Sequence, residues 1–256
     1  MPKQSGSSMY YTDKKNDESM VPPLVLIHGA GGSHLDWSPE LRRLPGARVI
    51  AVDLPGHGRS AGSGYDDTLA YAHDVAALLT DLEIPRAVIA GHSMGGAIAQ
   101  QMGLKFSAQV AGLVLVGTGS KLPVDPTLPD RIISQTEQAV DWLVDWSWGV
   151  NAPAEMKARS RENLLKTAPE VMRNDYLACM AFDFRDKLDH ITAPTLVLAA
   201  VDDQMVKLKF GITLAERIPN AKLVQVEGAG HMFPLEQAGV VAQAILTWLK
   251  EQQWTS

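Results

Sequence analysis

Short apolar runs bounded by polar or glycine-rich turns recur along the chain: Leu24–Ile27, Arg48–Val52, Ala87–Ala90, Leu113–Val116, Thr195–Ala200 and Lys222–Val226. Runs this short and this uniformly apolar predict strands buried on both faces. Between them the period changes to that of a helix. Residues 67–82 carry Leu69, Ala72, Val75, Ala76, Leu79 and Leu82 at helical spacing, with Asp66 placed to cap the start. A stripe of Val240, Val241, Ala244, Ile245, Trp248 and Leu249 predicts a closing helix. Alternation of this kind predicts an α/β fold: a mostly parallel central sheet with helices on both faces.

One interval breaks the rhythm. Residues 120–189 separate the strands at Leu113 and Thr195, far more chain than a sheet crossover needs. Pro123, Pro126 and Pro129 open the interval, and helical patterns follow over Ile132–Trp148, Glu155–Leu165 and Val171–Phe182. Residues 1–119 and 190–256 are therefore expected to form one core domain, and residues 120–189 a helical insertion.

Chemistry concentrates where a strand pattern meets a helix pattern. Ala87–Ala90 runs into Gly91-His92-Ser93-Met94-Gly95, and Gly96–Met102 reads as a helix. A serine between two glycines at such a turn is forced into strained backbone angles and exposes its hydroxyl at a helix N-terminus, the geometry of an activated nucleophile. A serine nucleophile needs a base and an acid that orients the base. His231 lies in the loop Glu227-Gly228-Ala229-Gly230-His231, just past the last strand. His28, His34, His57, His73 and His92 all precede Ser93, and His190 ends a polar helix-like stretch, so His231 is the expected base. Asp202 and Asp203 follow the strand Thr195–Ala200, at the end where parallel strands place their functional groups. Either could be the acid.

An oxyanion needs two backbone N–H groups. Met94 follows the nucleophile and supplies one. The loop His28-Gly29-Ala30-Gly31-Gly32-Ser33, after the strand Leu24–Ile27, is placed to supply the other from Ala30. That loop matches no phosphate-binding pattern. Gly56-His57-Gly58-Arg59-Ser60-Ala61 does fit the loose dinucleotide pattern, but Asp53-Leu54-Pro55 separates it from its strand and no helix start follows. Nucleotide binding is not expected.

Taken in order, His28–Gly32, Asp53–Ser60, Gly91–Gly96, Ala193–Leu198 and Gly230-His231 resemble the α/β-hydrolase family, in its serine esterase and lipase branch, over residues 20–250. The resemblance implies a helical cap over the catalytic end at residues 120–189. It favours Asp203 as the acid, because the family's Gly-x-x-Asp stands here as Ala200-Val201-Asp202-Asp203. Two departures are local: Ala200 replaces the glycine, and Lys207 stands where the family often has proline. A serine at position 93 sets the chain apart from dehalogenases and epoxide hydrolases of similar pattern, which use aspartate.

Composition narrows the function further. The chain has 256 residues, is 46% hydrophobic and carries a net charge of −6, enough for a sizeable core and with no basic surface for nucleic acid or anionic membranes. Its single cysteine, Cys179, excludes an internal disulfide and reads as a buried hydrophobe. No zinc-binding spacing occurs, so neither metal nor cofactor is expected. The first twenty residues are polar and no run reaches transmembrane length, so a cytoplasmic monomer or homodimer is expected, with no membrane span. Trp142, Trp146, Trp148 and Met180 in the insertion are expected to give the pocket an apolar roof. Together these imply hydrolysis of a small to medium apolar carboxylic ester. The same triad would serve a lactonase, thioesterase, C–C bond hydrolase or perhydrolase, and a non-catalytic receptor of this fold could retain it.

Overall fold

A computed structural model describes residues 9–16 and 19–254. Residues 1–8, on which the expected absence of a leader partly rests, lie outside them. The strands are β1 (Tyr11–Lys14), β2 (Leu24–Ile27), β3 (Val49–Val52), β4 (Ala87–His92), β5 (Val110–Val116), β6 (Thr195–Ala200) and β7 (Ala221–Val226). They form one seven-stranded sheet in the order β1-β3-β2-β4-β5-β6-β7. β1 pairs antiparallel to β3, and every other pairing is parallel.

The inner strands are apolar throughout because both of their faces are covered. The helices are α1 (Pro39–Arg42), α2 (Thr68–Asp81), α3 (Met94–Lys105), α4 (Leu128–Ser134), α5 (Thr136–Ser147), α6 (Ala154–Leu164), α7 (Pro169–Ala181), α8 (Leu208–Arg217), α9 (Phe233–Glu236) and α10 (Ala238–Glu251). Val25, Ile27 and Ile89 share one core cluster with Val75 and Leu79 of α2 and Ile98 of α3. Leu24, Leu26 and Val88, one residue out of phase, share the other with Val241, Ile245 and Trp248 of α10. A strand's period of two thus divides each apolar run between two cores.

The helices differ from the sequence reading in a start, a face and a break. The N-cap of α2 is Asp67, whose side chain accepts the Leu69 N–H, rather than Asp66. Val240 lies off the buried stripe of α10 and is 48% exposed. The helix expected over 132–148 is two helices, α4 and α5, broken at Gln135, whose backbone is non-helical (φ −145°, ψ 52°). Helices α4 to α7 all lie between β5 and β6 and share a third core that contains Ile132, Leu143, Trp148, Met172 and Tyr176. Among the described residues no helix is long and apolar enough to cross a membrane.

Candidate active site

Ser93 sits between β4 and α3 with φ +54° and ψ −117°, one of two non-glycine residues at positive φ among those described. Such a conformation costs on the order of 1–3 kcal/mol and persists only where its surroundings over-determine it. They do so here. Ser93 N–H donates to Val116 O at 2.9 Å, and Thr118 Oγ1 donates to Ser93 O at 2.9 Å. The flanking glycines make room, since a Cβ on Gly91 would land on the Gly95 carbonyl and one on Gly95 would land on the Ile27 carbonyl. Met94 is the first residue of α3, so its N–H belongs to the first turn, which has no intrahelical acceptor.

His231 and Asp203, 28 residues apart, are brought together. Nδ1 of His231 lies 2.7 Å from Asp203 Oδ2, and both residues are buried. The other carboxylate oxygen, Oδ1, accepts N–H bonds from Met205 and Val206, each at 2.8 Å. The carboxylate therefore has a fixed direction. Asp202 is exposed. Nε2 of His231 is left for a reaction partner, and Ser93 and His231 line the same cavity.

The backbone that carries His231 is clamped from two sides. His92 donates from Nε2 to the His231 carbonyl at 3.0 Å. Burial, and then the neighbouring His231, hold His92 well below the ordinary histidine value, so it makes this bond as a neutral ring. Glu236 accepts N–H bonds from Gly230 and from Gly149 in the insertion, both at 3.0 Å. Burial raises its carboxyl above the ordinary value, and those two donors partly offset the effect. A Cβ on Gly230 would meet Gly149 N at 2.5 Å and Trp148 C at 2.7 Å, so the two backbones touch directly.

The loop 28–33 is held with equal care. His28 donates from Nδ1 to Gly29 O at 2.8 Å and accepts the Leu54 N–H at Nε2, 3.1 Å away. Only the neutral Nδ1–H tautomer can do both, and burial lowers the His28 pKa to about 4, ensuring neutrality. Gly29 O also accepts the Gly32 N–H at 3.2 Å. The Ala30 N–H, in the same planar trans peptide as that carbonyl, must point the opposite way. Gly29 itself abuts Ser93: a Cβ on it would stand 3.2 Å from Ser93 Cβ.

The cavity has a volume of about 330 Å³. Its lining includes apolar Leu122, Val124, Leu143, Met205 and Val206 and polar Ser33, Asp36, Ser160 and Asn163. The expected aromatic roof is absent: none of Trp142, Trp146, Trp148 or Met180 lines the cavity. Helix phase is the reason. Leu143 and Ser147, one turn apart on the buried stripe of α5, face the cavity. Trp142 and Trp146 lie on the adjacent stripe and pack against each other with ring centroids 5.5 Å apart, and Trp146 is 45% exposed. Trp148 fills the insertion's own core. Met180 is exposed, next to the inward Tyr176 and Cys179.

The stretch Gly56–Ala61 is built around a carboxylate. Asp53 accepts the N–H of His34 at 2.7 Å, its Nδ1 at 2.8 Å and the Arg59 N–H at 2.9 Å. Burial would raise the Asp53 pKa, and these bonds bring it below the ordinary value. A Cβ at Gly58 would strike that carboxylate. The glycine pattern that mimics a dinucleotide fingerprint is thus a packing requirement.

A model of the alpha/beta hydrolase family matches residues 24–244. A putative carbamate hydrolase RutD of Caulobacter is 30% identical, over 96% of this chain and 98% of its own. A thermophilic esterase from Thermogutta terrifontis is 27% identical in sequence, with a TM-score of 0.84 over 95% of this chain and 93% of its own. The enol-lactonase of Burkholderia xenovorans superposes with a TM-score of 0.90 over 98% of this chain and all of its own, at 23% identity.

Proposed function

The chain belongs to the alpha/beta hydrolase family, and on that footing we propose that it hydrolyses carboxylic esters through an acyl-enzyme on Ser93. The observation that carries this reading is the strained Ser93 at the head of α3, sharing one cavity with a His231 whose ring is fixed by Asp203. In this reading His231 Nε2 takes the Ser93 hydroxyl proton as Oγ bonds to the carbonyl carbon. The negative charge on the carbonyl oxygen is received by the N–H groups of Met94 and Ala30. The C–O bond to the alcohol then breaks, and that alcohol leaves with the proton from Nε2. Water repeats the sequence on the acyl group, releasing the acid and restoring Ser93. Asp203 keeps the proton on Nδ1 throughout and stabilises the imidazolium.

The cavity suits a small to medium substrate with an apolar acyl group against Leu122, Leu143 and Val206, and room for a polar end toward Asn163. A second reading, the same chemistry at a carbamate carbonyl, is favoured by the Caulobacter relative, which is named a putative carbamate hydrolase and matches over almost its whole length. Comparing kcat/KM over p-nitrophenyl esters, lactones and N-unsubstituted carbamates separates them. The ester reading expects the highest values on short and medium acyl esters. Turnover of carbamates or lactones with none of esters would replace it, and turnover of nothing would favour a receptor.

A further inference from the structure

Besides Asp203–His231 and Asp53–His34, a third carboxylate–histidine pair lies against the loop 28–33, and nothing in the mechanism above uses it. Asp175 is on α7, in the insertion, and His57 is in the loop after β3 of the core. Their side chains are both fully buried, with His57 Nε2 2.7 Å from Asp175 Oδ2. His57 Nδ1 also lies 3.0 Å from Pro55 O, and a carbonyl can only accept. Nδ1 therefore donates to Pro55 O, and the His57 ring presents Nε2 to the Asp175 carboxylate. Burial alone would lower its pKa, but the adjacent Asp175 more than offsets this and holds it above the ordinary histidine value.

A buried ion pair is weak evidence of stability, because desolvation consumes most of the attraction. Its other bonds show what it does here. Asp175 Oδ2 also accepts the Gly31 N–H at 2.7 Å, and Oδ1 accepts the Tyr71 hydroxyl at 2.6 Å. From the same insertion, Thr167 Oγ1 donates to Gly31 O at 2.8 Å. Both polar groups of Gly31 are thus held by inserted residues. Gly31 has φ +67° and follows Ala30 directly, so releasing either bond frees the chain next to the oxyanion donor.

We propose that Asp175, backed by His57 and joined by Thr167, is a positioning residue that couples seating of the inserted helices to the geometry of the oxyanion loop. The proposal rests on the ester-hydrolase reading, since it needs Ala30 to be the donor. His28 orients the Ala30 N–H from the core side, through Gly29 O. Asp175 and Thr167 hold the next residue from the insertion side. The loop adopts its working shape only when the helices are down, which ties a competent oxyanion hole to a closed, water-poor cavity.

The test uses the full-length protein with Asp175→Asn and Thr167→Val. Activity is read as kcat and KM on a p-nitrophenyl ester per site titrated with a fluorophosphonate, and loop order as hydrogen exchange of the peptide that spans residues 29–33. Losing an oxyanion donor outright costs roughly 10²–10³ in kcat. A displaced donor should cost less, so Asp175→Asn is expected to lower per-site kcat by about tenfold or more with KM little changed, because the donor acts on the transition state. Exchange at 29–33 should rise in parallel. Thr167→Val, which buries no unpaired charge, should shift both readouts in the same direction by less, and it carries the test if Asp175→Asn does not fold. Normal per-site kcat and unchanged exchange, beside a wild type that turns over and labels at Ser93, would overturn the coupling and leave the hydrolase reading standing. A change confined to KM would overturn it too. A wild type that neither turns over nor labels removes both.

Discussion

Asp203→Asn is the most sharply defined perturbation of the proposed machinery, because the structure dictates how the amide must sit. In the native protein Asp203 Oδ1 accepts two N–H bonds, from Met205 and Val206. An asparagine NH₂ cannot face two donors, so its carbonyl oxygen takes that position and keeps the loop intact. The NH₂ is then presented to His231 Nδ1, where the native carboxylate oxygen stands at 2.7 Å. The ring responds by accepting at Nδ1 and carrying its proton on Nε2, the tautomer that cannot take a proton from Ser93. A tautomer reversed in this way costs about 10⁴ in kcat, or about 5–6 kcal/mol of barrier. Asp202→Asn is the control: its carboxylate is exposed, and its backbone carbonyl accepts from the Gln204 side-chain amide at 3.3 Å. The assay is steady-state hydrolysis of p-nitrophenyl butyrate by variants whose melting curves match wild type. A loss below about tenfold in a folded Asp203→Asn, or a larger loss in Asp202→Asn, would refute the assignment.

Three further outcomes follow from the geometry. Leu143→Ala enlarges the cavity and should move the kcat/KM ratio between acetyl and longer acyl esters by about tenfold or more toward the longer ones, whereas Trp146→Ala and Met180→Ala should leave the ratio alone. An unchanged profile in Leu143→Ala would remove this helix from the acyl pocket. The urea midpoint should fall as pH rises, because the His57 pKa is raised on folding. The stability it contributes is full below about pH 6.5 and is lost as pH climbs through the folded value. Asp53, His28 and Tyr71 also face that ring, so the diagnostic is flattening of the slope in Asp175→Asn, and an identical slope in both proteins would contradict the ion pair. Gly230→Ala forces a methyl into the Gly149 backbone and should destabilise by about 1–3 kcal/mol or more, measured by chemical denaturation, and a neutral effect would show that the loop and the insertion are not in rigid contact.

The elements that came straight from the sequence are those set by local pattern. Ser93 is identifiable because its strand, its two glycines and its helix are contiguous. His231 and the aspartate pair follow from chain order and strand ends, but the choice of Asp203 over Asp202 depended on resemblance. In the structure the choice is supported by the 2.7 Å contact of Asp203 Oδ2 with His231 Nδ1, held in direction by N–H bonds from Met205 and Val206 that no pattern displays. β1 went unread because Thr12, Asp13 and Lys14 form a polar edge strand, recognisable only by its antiparallel pairing with β3. The tryptophans misled because composition says nothing of helix phase. Counting from Leu143 to Ser147 gives the inward stripe of α5, and both Trp142 and Trp146 miss it. Asp175 left a trace that could have been followed. It falls on the stripe Met172, Asp175, Tyr176, Cys179, where a carboxylate among inward positions requires a buried partner. That partner, His57, lies 118 residues away, and only the fold joins them.

Intact-protein mass spectrometry during turnover tests the central claim most directly. Mixed with a p-nitrophenyl ester and quenched in the first turnovers, the protein should gain one acyl mass that peptide mapping places on Ser93. Ser93→Ala should gain none and should lose activity by up to about 10⁶-fold. Ester turnover that persists in Ser93→Ala, or an acyl mass mapped to another residue, would contradict the account.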